Sequence, residues 1–579
     1  MDGKFQERKL GGVKAAIFVC GMQVLENMAF MSNVVSLVTY FSGFMNFNLT
    51  KSANTLTNYV GTAFLLALLG GFLSDTYLSR FKTCLLFGCV EMVRSYLYTY
   101  SNKKLKFNFY SCFFLGYLVL SMQAHFDVLK PTPCGGLAIF DSSKCDAASS
   151  GQLAMLYSGL YLVALGSSGI KASLPSLGAD QFDERDTKTV SSFFNWFVFS
   201  LTFGSVMGLT FVVWVSTNKG WAWAFGICAT ALFFGVIVVF LGKRFYIINV
   251  PNRRGPVVRI LQVLVASGKN WKLPVPAPDE KLHELEDKEA AEETEILKRT
   301  YQLRFLDRAA IQKSPSDATS DWRLCTVTQV EETKIIIRML PIILSTIFMN
   351  TCLAQLMTFS VQQGLTMDPD LFGFRVPAAS LPVIPFLFVI PLVPLYDQVL
   401  VPFARKFTGI PTGITYLQRI GVGLVLSIIS MSIAGVVETR RKNVAIDHNM
   451  VDSMSPLPMT VFWLAFQYAI FGAADMFTLV GLMEFFYAES SVGMKSLGTA
   501  ISWCSLAFGY YLSSVVVNVV NKVSGGWLAS NNLNRDQLNY FYWLLAAVSV
   551  LNFGFYLVCS SWYRYKEVEV KKADENDEL

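Results

Sequence analysis

The stretch "GMQVLENMAF", residues 21–30, lies inside a long apolar run yet carries Gln23, Glu26 and Asn27. Residues spaced by three and four positions share one face of a helix. An ionisable residue inside a membrane segment is costly, and such residues usually face the interior of a helix bundle or a water-filled cavity. The stretch therefore predicts a membrane-spanning helix with one polar, inward-facing side.

The composition of the whole chain agrees with a membrane protein. Of 579 residues, 53% are hydrophobic and 16% are charged, and the mean hydropathy is +0.43. Soluble domains carry about 25% charged residues. The net charge of +6 is modest and indicates no nucleic-acid partner. No cleavable signal peptide is evident, because the first apolar run is too long for one.

The sequence offers little for metal or enzyme chemistry. Its eleven cysteines lie mostly in apolar runs without a CxxC pair, and its histidines are limited to His125, His283 and His448. No nucleophile–base pair or glycine-rich phosphate loop is present. We therefore expect no metal, no cofactor and no enzymatic activity.

Eleven apolar runs are long enough to cross a bilayer. They cover residues 15–40, 56–79, 152–174, 192–215, 221–243, 335–361, 378–401, 414–437, 459–486, 497–520 and 539–561. A twelfth span is expected between residues 81 and 122, where two short apolar pieces flank Lys103, Lys104 and Lys106. Each lysine would cost about 2.5–3.5 kcal/mol at the membrane centre, so one continuous helix through this region is unfavourable.

Residues 93–113 are predicted to be an insertion in this third span. Removing them joins "CLLFGCVEM" to "FLGYLVLSMQA" as one helix of ordinary length. The dipeptide Val93-Arg94 can be encoded as GTAAGA, which resembles a splice donor, so the insertion can be a translated intron. The alternative is a genuine re-entrant or looped insertion. The sequence of the transcript distinguishes the two.

Basic residues orient the twelve spans. Lysines and arginines cluster before span 1 and after spans 2, 4, 6 and 8, which places both termini and the long central loop in the cytoplasm by the positive-inside rule. "ETRRKN", residues 438–443, falls outside and breaks the rule. The same topology places the glycosylation sequon at Asn48 outside. It also places Cys134 and Cys145 in an oxidising compartment, where they can form a disulfide.

The span count divides the chain into four parts. Residues 1–246 form an N-terminal six-helix bundle, 247–334 a cytoplasmic linker, 335–561 a C-terminal six-helix bundle and 562–579 a charged cytoplasmic tail. The mixed charge of residues 279–305 favours a solvated surface helix in the linker, and disorder is the alternative. A layout of six plus six spans is typical of transporters whose substrate site lies at the midplane between two halves.

The segment "GGFLSDTYLSRFK", residues 70–82, follows the second span. Its Gly71, Asp75, Arg80 and Lys82 resemble the G-x-x-x-D-x-x-x-x-R-x-K loop of the major facilitator superfamily. The resemblance implies a major facilitator fold of 12 transmembrane helices. Asp75 and the basic residues after it can bridge neighbouring helices with contacts that break when the two halves rock.

Several further segments resemble the plant nitrate/peptide transporter family, part of the proton-coupled oligopeptide transporter group. They are "ALGSSGIKASLPSLGADQFDE" (164–184), "SFFNWFVFS" (192–200), "WRLCTVTQVEETK" (322–334), "LAQLMTFSVQQG" (353–364), "YDQVLVPFARK" (396–406), "LQRIGVGL" (417–424) and "GLMEFFYAE" (481–489). Within the family, "LENMAF", "SNVVSLVTYF" and "GTAFLLALLGGFLSD" look most like the branch that includes abscisic acid importers. The resemblance implies a secondary transporter of a small organic solute.

The family couples transport to protons through an E-x-x-E-R/K motif in helix 1 and a lysine in helix 4. The matching positions here are Gln23, Glu26, Asn27 and Lys171, so only Glu26 and Lys171 keep ionisable groups. The first glutamate and the basic residue of the motif are amides, which puts proton coupling in question. A Glu26–Lys171 pair is the favoured hypothesis, and the alternative is that Lys171 extends to the membrane surface.

Helix 10 carries two carboxylates with different expected roles. Asp475 and Glu484 are nine residues apart and therefore on opposite faces of the helix. Asp475 matches the acidic position that meets the peptide amine in peptide-carrying members, and Glu484 is interpreted as structural. Gln355 and Trp503 are further candidates for the substrate cavity. Arg338 and Arg419 can be partners of an anionic solute, but the preferred interpretation places them at helix ends near the lipid headgroups.

These observations favour a transporter of a small, mostly apolar organic acid or a plant hormone such as abscisic acid. Low-affinity nitrate or peptide transport is the second hypothesis, although Leu353 stands where a nitrate-carrying member has a histidine. A pH-independent facilitator or solute sensor is the third. The expected partners are a small-molecule substrate, protons and membrane lipid, and the expected location is the plasma membrane. The sequence leaves the oligomeric state open.

Overall fold

Long helices make up almost all of the secondary structure in the computed structural model. The structure describes residues 10–47, 49–91, 116–132, 146–249, 255–277, 280, 282–284, 297–312, 322–371, 374–375, 378–453, 455–528 and 532–566. Within these ranges, eleven helices are long and apolar enough to cross a membrane. The predicted insertion at 93–113, the sequon at Asn48 and the Cys134–Cys145 pair lie outside the described residues.

The first six-helix bundle is built from nine helical segments. They are α1 (Gly12–Phe44), α2 (Leu49–Leu65), α3 (Ala67–Thr76), α4 (Arg80–Glu91), α5 (Gly116–His125), α6 (Ser150–Ala179), α7 (Thr187–Met207), α8 (Val213–Asn218) and α9 (Trp221–Gly242). Helices α2 and α3 form the second span, and α7 continues into α8 through the π-helical turn Gly208–Val212. Helix α1 packs against α6, α7 and α9, which buries the polar face that contains Glu26.

Helices α4 and α5 together occupy the third position of this bundle. Both pack against α6 and against α9, as expected for the two ends of one membrane crossing. Each is shorter than a full span, with 12 residues in α4 and 10 in α5. A transcript that lacks the codons for residues 93–113 is the expected result if this segment is a translated intron.

The second bundle contains α11 (Val327–Thr366), α12 (Ile384–Leu395), α13 (Val401–Thr408), α14 (Tyr416–Asp447), α15 (Leu464–Glu489), α16 (Lys495–Ser524) and α17 (Leu538–Trp562). Its centre is formed by α14, which packs against α15 and α17, and by α11, which packs against α16. Two short strand pairs lie outside the helices: β1 (Met367–Asp368) with β4 (Leu457–Thr460), and β2 (Asp370–Leu371) with β3 (Phe374–Arg375).

Local sequence explains where the long helices begin. Helices α6, α11 and α14 each start with a capping box, in which Ser149, Thr326 or Thr415 exchanges hydrogen bonds with a glutamine three residues later. These bonds satisfy backbone N–H groups that have no partner in the first turn. The helices therefore start at fixed residues, and this sets the height at which their inward-facing side chains lie.

Residues 279, 281 and 285–296 of the surface helix expected at 279–305 lie outside the described residues. The described part of that range forms no α-helix: Leu297–Leu303 is irregular and Arg304–Ala310 is a 3-10 helix, whereas α10 (Pro256–Lys269) lies earlier in the linker. The reason is tertiary. Asp307 pairs with Lys334 at 2.6 Å and with Arg299 at 3.1 Å, so buried ion pairs tie the end of the linker to the first turns of α11.

The same kind of contact accounts for the basic segment that breaks the positive-inside rule. Arg441 is fully buried and pairs with Glu438 at 2.7 Å, and Arg440 stacks on Trp463 at 4.1 Å. Lys442 donates a hydrogen bond to the Asp536 carbonyl at 2.8 Å. Arg441 and Lys442 are thus paired within the protein, Arg440 is exposed, and all three lie inside α14 and not in a loop, so they contribute little to a rule based on loop charges.

Candidate functional site

Glu26 and Lys171 form a buried ion pair between α1 and α6. The Lys171 Nζ atom lies 3.0 Å from Glu26 Oε1 and 3.2 Å from Glu26 Oε2. Ser167, one turn earlier on α6, donates a hydrogen bond of 2.7 Å to Glu26 Oε1. Glu26 is 0% exposed and Lys171 is 2% exposed. Lys171 therefore lies inside the protein, about 12 Å along α6 from its last residue at a rise of 1.5 Å per residue.

Three aromatic rings surround the Lys171 ammonium group. Its Nζ atom lies 4.1 Å from the ring centre of Phe30, 5.8 Å from that of Phe64 and 5.4 Å from that of Trp503. We call Phe30, Phe64 and Trp503 the aromatic box. Cations are attracted to aromatic faces within about 6 Å, so the box stabilises the charge of Lys171 from the side that Glu26 leaves open. Trp503 belongs to the second bundle and the other two rings to the first.

The two amides of the helix 1 motif have different surroundings. Asn27 Nδ2 donates hydrogen bonds to the Leu201 carbonyl at 2.7 Å and to Ser205 Oγ at 2.6 Å, so it holds α1 against α7. Gln23 is buried, and its Nε2 atom has no hydrogen-bond partner among the described residues. Gln23 is thus the amide that can serve a solute, because its buried donor is unsatisfied.

The two carboxylates of α15 have different partners, as their opposite faces imply. Glu484 pairs with Arg419 at 3.2 Å. Asp475 is half-buried and has no hydrogen bond or ion pair with any residue that the structure describes. Gln355 donates hydrogen bonds of 2.8 Å to the carbonyl and to the hydroxyl of Ser513, so its amide joins α11 to α16.

The expected headgroup positions of Arg338 and Arg419 are wrong. Arg338 is 1% exposed and Arg419 is 3% exposed. Arg419 is in the first turn of α14 and Arg338 is about three turns into α11, and both are buried in the protein, where carboxylates stabilise them. Arg338 lies 3.8 Å from Glu331, and Arg419 also stacks on Tyr396 at 4.6 Å.

Asn195 joins the two bundles, a role that the sequence did not reveal. Its oxygen accepts a hydrogen bond from Arg419, and its Nδ2 donates to Asp397 at 2.7 Å. Ser192, one turn earlier on α7, donates to the same Asp397 at 2.9 Å. The available signal was an amide inside the aromatic segment "FFNW", but its partners lie about 200 residues away in the chain.

A larger set of inter-bundle contacts occurs where α3, α6 and α15 end and α4, α7 and α16 begin. We call this end of the molecule the Asp75 face. Asp75 Oδ2 accepts a hydrogen bond of 2.8 Å from the backbone N–H of Leu497, in the first turn of α16. Arg80 pairs with Asp180 and donates to Ser496 Oγ at 2.9 Å. Lys82 is exposed.

The ends of α6 and α15 add two further contacts at the Asp75 face. Tyr487 donates a hydrogen bond of 2.9 Å to Asp180 Oδ1, and Lys495 pairs with Glu184. Acid and base residues of the first bundle thus bind residues of the second. The structure is closed at this face, and opening it must break these contacts together.

Gly71 lets α3 approach α16 at the Asp75 face. A Cβ atom at Gly71 would lie 2.8 Å from the Ser496 carbonyl oxygen and 3.1 Å from Leu497 Cα. We expect Gly71→Ala to disfavour the closed state by about 1–3 kcal/mol, as overpacking does, which is roughly 5- to 150-fold in the equilibrium.

Spin labels on Tyr77→Cys and Gly493→Cys, two exposed positions on either side of the Asp75 face, would report this change as a longer distance by electron–electron resonance. The protein would lack its other reactive cysteines. Gly554→Ala is the matched control, because no atom lies within 4 Å of its added Cβ. Equal distance distributions in both variants would contradict the prediction.

Two six-helix bundles, a buried ion pair inside the first bundle and a set of contacts that joins the bundles at one face are features of a membrane transporter built from two halves. A family model described as POT family matches residues 107–533, and the chain belongs to this family. It is a membrane transporter and not an enzyme.

Related proteins support this assignment over nearly the full chain. Protein NRT1/PTR FAMILY 4.6 of Arabidopsis thaliana is 43% identical over 582 aligned positions, which cover 96% of this chain and 94% of that protein. Protein NRT1/PTR FAMILY 4.5 of the same plant is 44% identical, with 96% and 94% covered.

Solved structures confirm the predicted all-α membrane fold. An auto-inhibited POT family peptide transporter matches with a TM-score of 0.58 at 18% identity, covering 96% of this chain and 99% of that one. A POT family transporter in complex with 5-aminolevulinic acid matches with a TM-score of 0.56 at 11% identity, covering 94% and 96%.

Proposed function

We propose that this protein is a proton-coupled transporter of a small organic acid, or of a plant hormone such as abscisic acid, that works by alternating access. The observation that carries the proposal is the buried Glu26–Lys171 pair, with Nζ–Oε distances of 3.0 and 3.2 Å. An ion pair inside a membrane protein is expensive and usually functional. A carboxylate that can take up a proton beside a fixed ammonium group is the simplest way to link solute binding to protons.

The charges of the pair favour an anionic solute. Glu26 and Lys171 together are neutral, and the amides Gln23 and Asn27 add no charge. When a proton from the outside neutralises Glu26, the Lys171 charge is left unbalanced in a buried site. A carboxylate on the solute restores the balance, so one proton and one monovalent acid would be carried together without net charge.

The surroundings of the pair favour a partly apolar solute. Phe30, Phe64 and Trp503 line the Lys171 side, and small-molecule sites are mostly apolar with a few placed polar groups. The unsatisfied Nε2 of Gln23 supplies one such donor. Nitrate has no hydrocarbon part to place against aromatic walls, so it gains less from them than an amphipathic acid does.

Peptide transport is the second candidate, and one observation supports it. Asp475 is a half-buried carboxylate without a partner among the described residues, and a free carboxylate can bind a solute ammonium group. Solved POT family relatives include complexes with alafosfalin and with 5-aminolevulinic acid. A facilitator or sensor without proton coupling is the third candidate, since the helix 1 motif lacks two of its charges.

Solute uptake in oocytes at pH 5.5 and 7.5 tests the proposal with a panel of abscisic acid, other monocarboxylic acids, nitrate and dipeptides. Uptake of an organic acid above water-injected oocytes, greater at pH 5.5, supports it. Uptake of dipeptides or nitrate alone would replace it with the second candidate. Binding of a solute without flux, or flux indifferent to pH, would favour the facilitator or sensor.

Asp475→Asn distinguishes an acid from a peptide as the solute. If Asp475 faces the bound solute, removing its negative charge strengthens the binding of an anion and weakens that of a cation. For an organic acid we expect KM to fall several-fold, corresponding to about 1 kcal/mol at a partly buried site. For a peptide bound through its amine, KM would rise by a similar factor or more. Asp397→Asn is unsuitable as a control, because it would disrupt the hydrogen bond between Asp397 and Asn195. The control is Asp370→Asn, because Asp370 is exposed and its substitution should leave KM unchanged.

We also propose a plasma-membrane location with both termini cytoplasmic, which makes the Asp75 face the cytoplasmic one. The support is the clustering of lysine and arginine in the loops of that face. A fluorescent protein fused to either terminus should be quenched by a quencher added to the cytosolic side, but not by one added outside the cell. External quenching would reverse the assignment.

A further inference from the structure

Trp503 connects the two bundles at the depth of the ion pair. It lies on α16 and is 4% exposed. Its ring stacks on Phe64 of the first bundle, with 5.4 Å between centres and 6° between planes. The same ring lies 5.4 Å from the Lys171 ammonium group. Trp503 is therefore the member of the aromatic box that moves when the bundles separate.

Pro175 explains how Trp503 is held. A proline inside a helix removes the hydrogen bond to the carbonyl four residues earlier, and for Pro175 that carbonyl belongs to Lys171. Trp503 Nε1 donates to this Lys171 carbonyl at 3.1 Å. The backbone acceptor that Pro175 leaves free is thus used by the opposite bundle, and this bond orients the indole next to the ammonium group of the same residue.

We infer that Trp503 is a positioning residue that couples bundle movement to proton binding at Glu26, by completing the aromatic box around Lys171 only while the Asp75 face is closed. The inference rests on the proposed function and explains how proton coupling can operate although the first glutamate and the base of the helix 1 motif are replaced by Gln23 and Asn27. In the closed state the box stabilises Lys171 when Glu26 is protonated. When the Asp75 face opens, Trp503 moves away from Lys171 together with the second bundle. The Lys171 charge is then stabilised mainly by ionised Glu26, so Glu26 releases its proton to the opened side.

Other charged groups do not take over this role in the described part of the chain. Helices α1 to α5, α7 and α16 and the 3-10 turn Asp127–Leu129 pack against α6, and the carboxylate that contacts Lys171 is Glu26 of α1. Among the described side chains, the other charged groups on these elements lie toward the element ends. Asp75, Arg80 and Lys495 belong to the contacts of the Asp75 face, His125 is at the other end, and the Cys84 thiol contacts Ser173 at 3.1 Å. Also near element ends are Lys14, Lys51, Lys82, Asp127, Lys188 and Lys522. Asp180 is nine residues, or about 13 Å, along α6 from Lys171.

The test is the distance between spin labels on Tyr77→Cys and Gly493→Cys, measured at pH 5.5 and 7.5 on the purified full chain without substrate. By linkage, a state that favours the ionised carboxylate gains population as the pH rises. In the otherwise unchanged protein we expect the open fraction at the Asp75 face to increase about threefold or more from pH 5.5 to 7.5. In Trp503→Leu we expect the open fraction to be larger than in the unchanged protein at both pH values. The fractions at pH 5.5 and 7.5 should differ by less than about twofold.

Two further variants distinguish the contribution of the Trp503 ring from that of its N–H hydrogen bond. Trp503→Phe keeps an aromatic face but loses the N–H group, and Pro175→Ala returns a backbone donor to the Lys171 carbonyl that competes with Trp503. Both should give pH responses between those of the unchanged protein and Trp503→Leu. Trp223→Leu is the control, because that tryptophan is 68% exposed on the outer surface of α9, and its pH response should be unchanged.

The outcomes separate this inference from the proposed function. A pH response that persists in Trp503→Leu would overturn the role of Trp503, even if uptake remains proton-driven. A response that is absent in the unchanged protein would overturn it as well. If the label distances behave as expected but no panel acid is transported, the inference stands and the proposed substrate class fails.

Discussion

Glu26→Gln should abolish proton-driven accumulation while leaving the fold intact. Glutamine has the shape of glutamate and can still accept hydrogen bonds from Ser167 and Lys171, which bind Glu26 at 2.7 to 3.2 Å, but it cannot take up a proton. One proton moved across a gradient from pH 5.5 to 7.5 supplies about 2.7 kcal/mol, or roughly 100-fold accumulation, at 1.36 kcal/mol per pH unit. The variant should lose this gradient-driven part and equilibrate the solute at most.

The measurement is the steady-state ratio of internal to external solute, compared with exchange of labelled for unlabelled solute at equal pH. Exchange should persist, because it needs no net proton movement. Glu438→Gln is a matched control, since it removes another fully buried carboxylate from an ion pair, with Arg441, away from Lys171. If Glu26→Gln still accumulates solute at pH 5.5 as the unchanged protein does, proton coupling through this pair is wrong.

Arg419→Ala should be the most destabilising of the substitutions considered. It leaves Glu484, which is 2% exposed, as a buried charge without its cation. Breaking a buried ion pair by removing one partner costs about 3–5 kcal/mol. It also removes the hydrogen bond to Asn195 and so one of the contacts that join the bundles. A marked fall in the apparent melting temperature in detergent, with lower yield of monodisperse protein, is the expected result.

The double variant Arg419→Ala with Glu484→Gln should recover part of this loss, because the uncompensated charge is gone. Arg440→Ala is the matched control on the same helix, since its exposed guanidinium stacks on Trp463. Removing an exposed cation–π contact costs about 0.5–1 kcal/mol. Equal stability of Arg419→Ala and Arg440→Ala would mean that Arg419 lies near the headgroups after all.

Much of the fold could be predicted because it follows from local chemistry. A bilayer requires about 20 apolar residues for each helix, and the eleven predicted runs correspond to the eleven spanning helices of the described chain. Helix ends were less accurate. For example, residues 15–40 became Gly12–Phe44, since helices extend beyond the hydrocarbon when capping and packing favour it. The structure of the end of the linker could not be predicted, because its ion pair with α11 is not visible in local charge patterns.

Some features of the candidate site could be predicted from the local sequence, and others depend on residues that are distant in the chain. The sequence identified Glu26 and Lys171 as rare charges in apolar helices, and the structure places their atoms 3.0 Å apart. It could not show that Asn27 and Gln355 bind neighbouring helices, or that Gln23 keeps an unsatisfied donor. Amides have no preferred partner by type, so only the positions of the surrounding helices decide what they contact.

The sequence by itself determined that this chain is a helical membrane protein and named the residues where charge enters the membrane, because burying charge and backbone in lipid is costly for any arrangement of helices. Tertiary structure alone decided which bundle supplies each partner. Trp503 reaches the carbonyl freed by Pro175 across 332 positions of the chain, and Asn195 meets Arg419 across 224. Contacts of this kind depend on how the two bundles dock, and docking depends on the shapes of whole helix surfaces, which short sequence motifs do not encode.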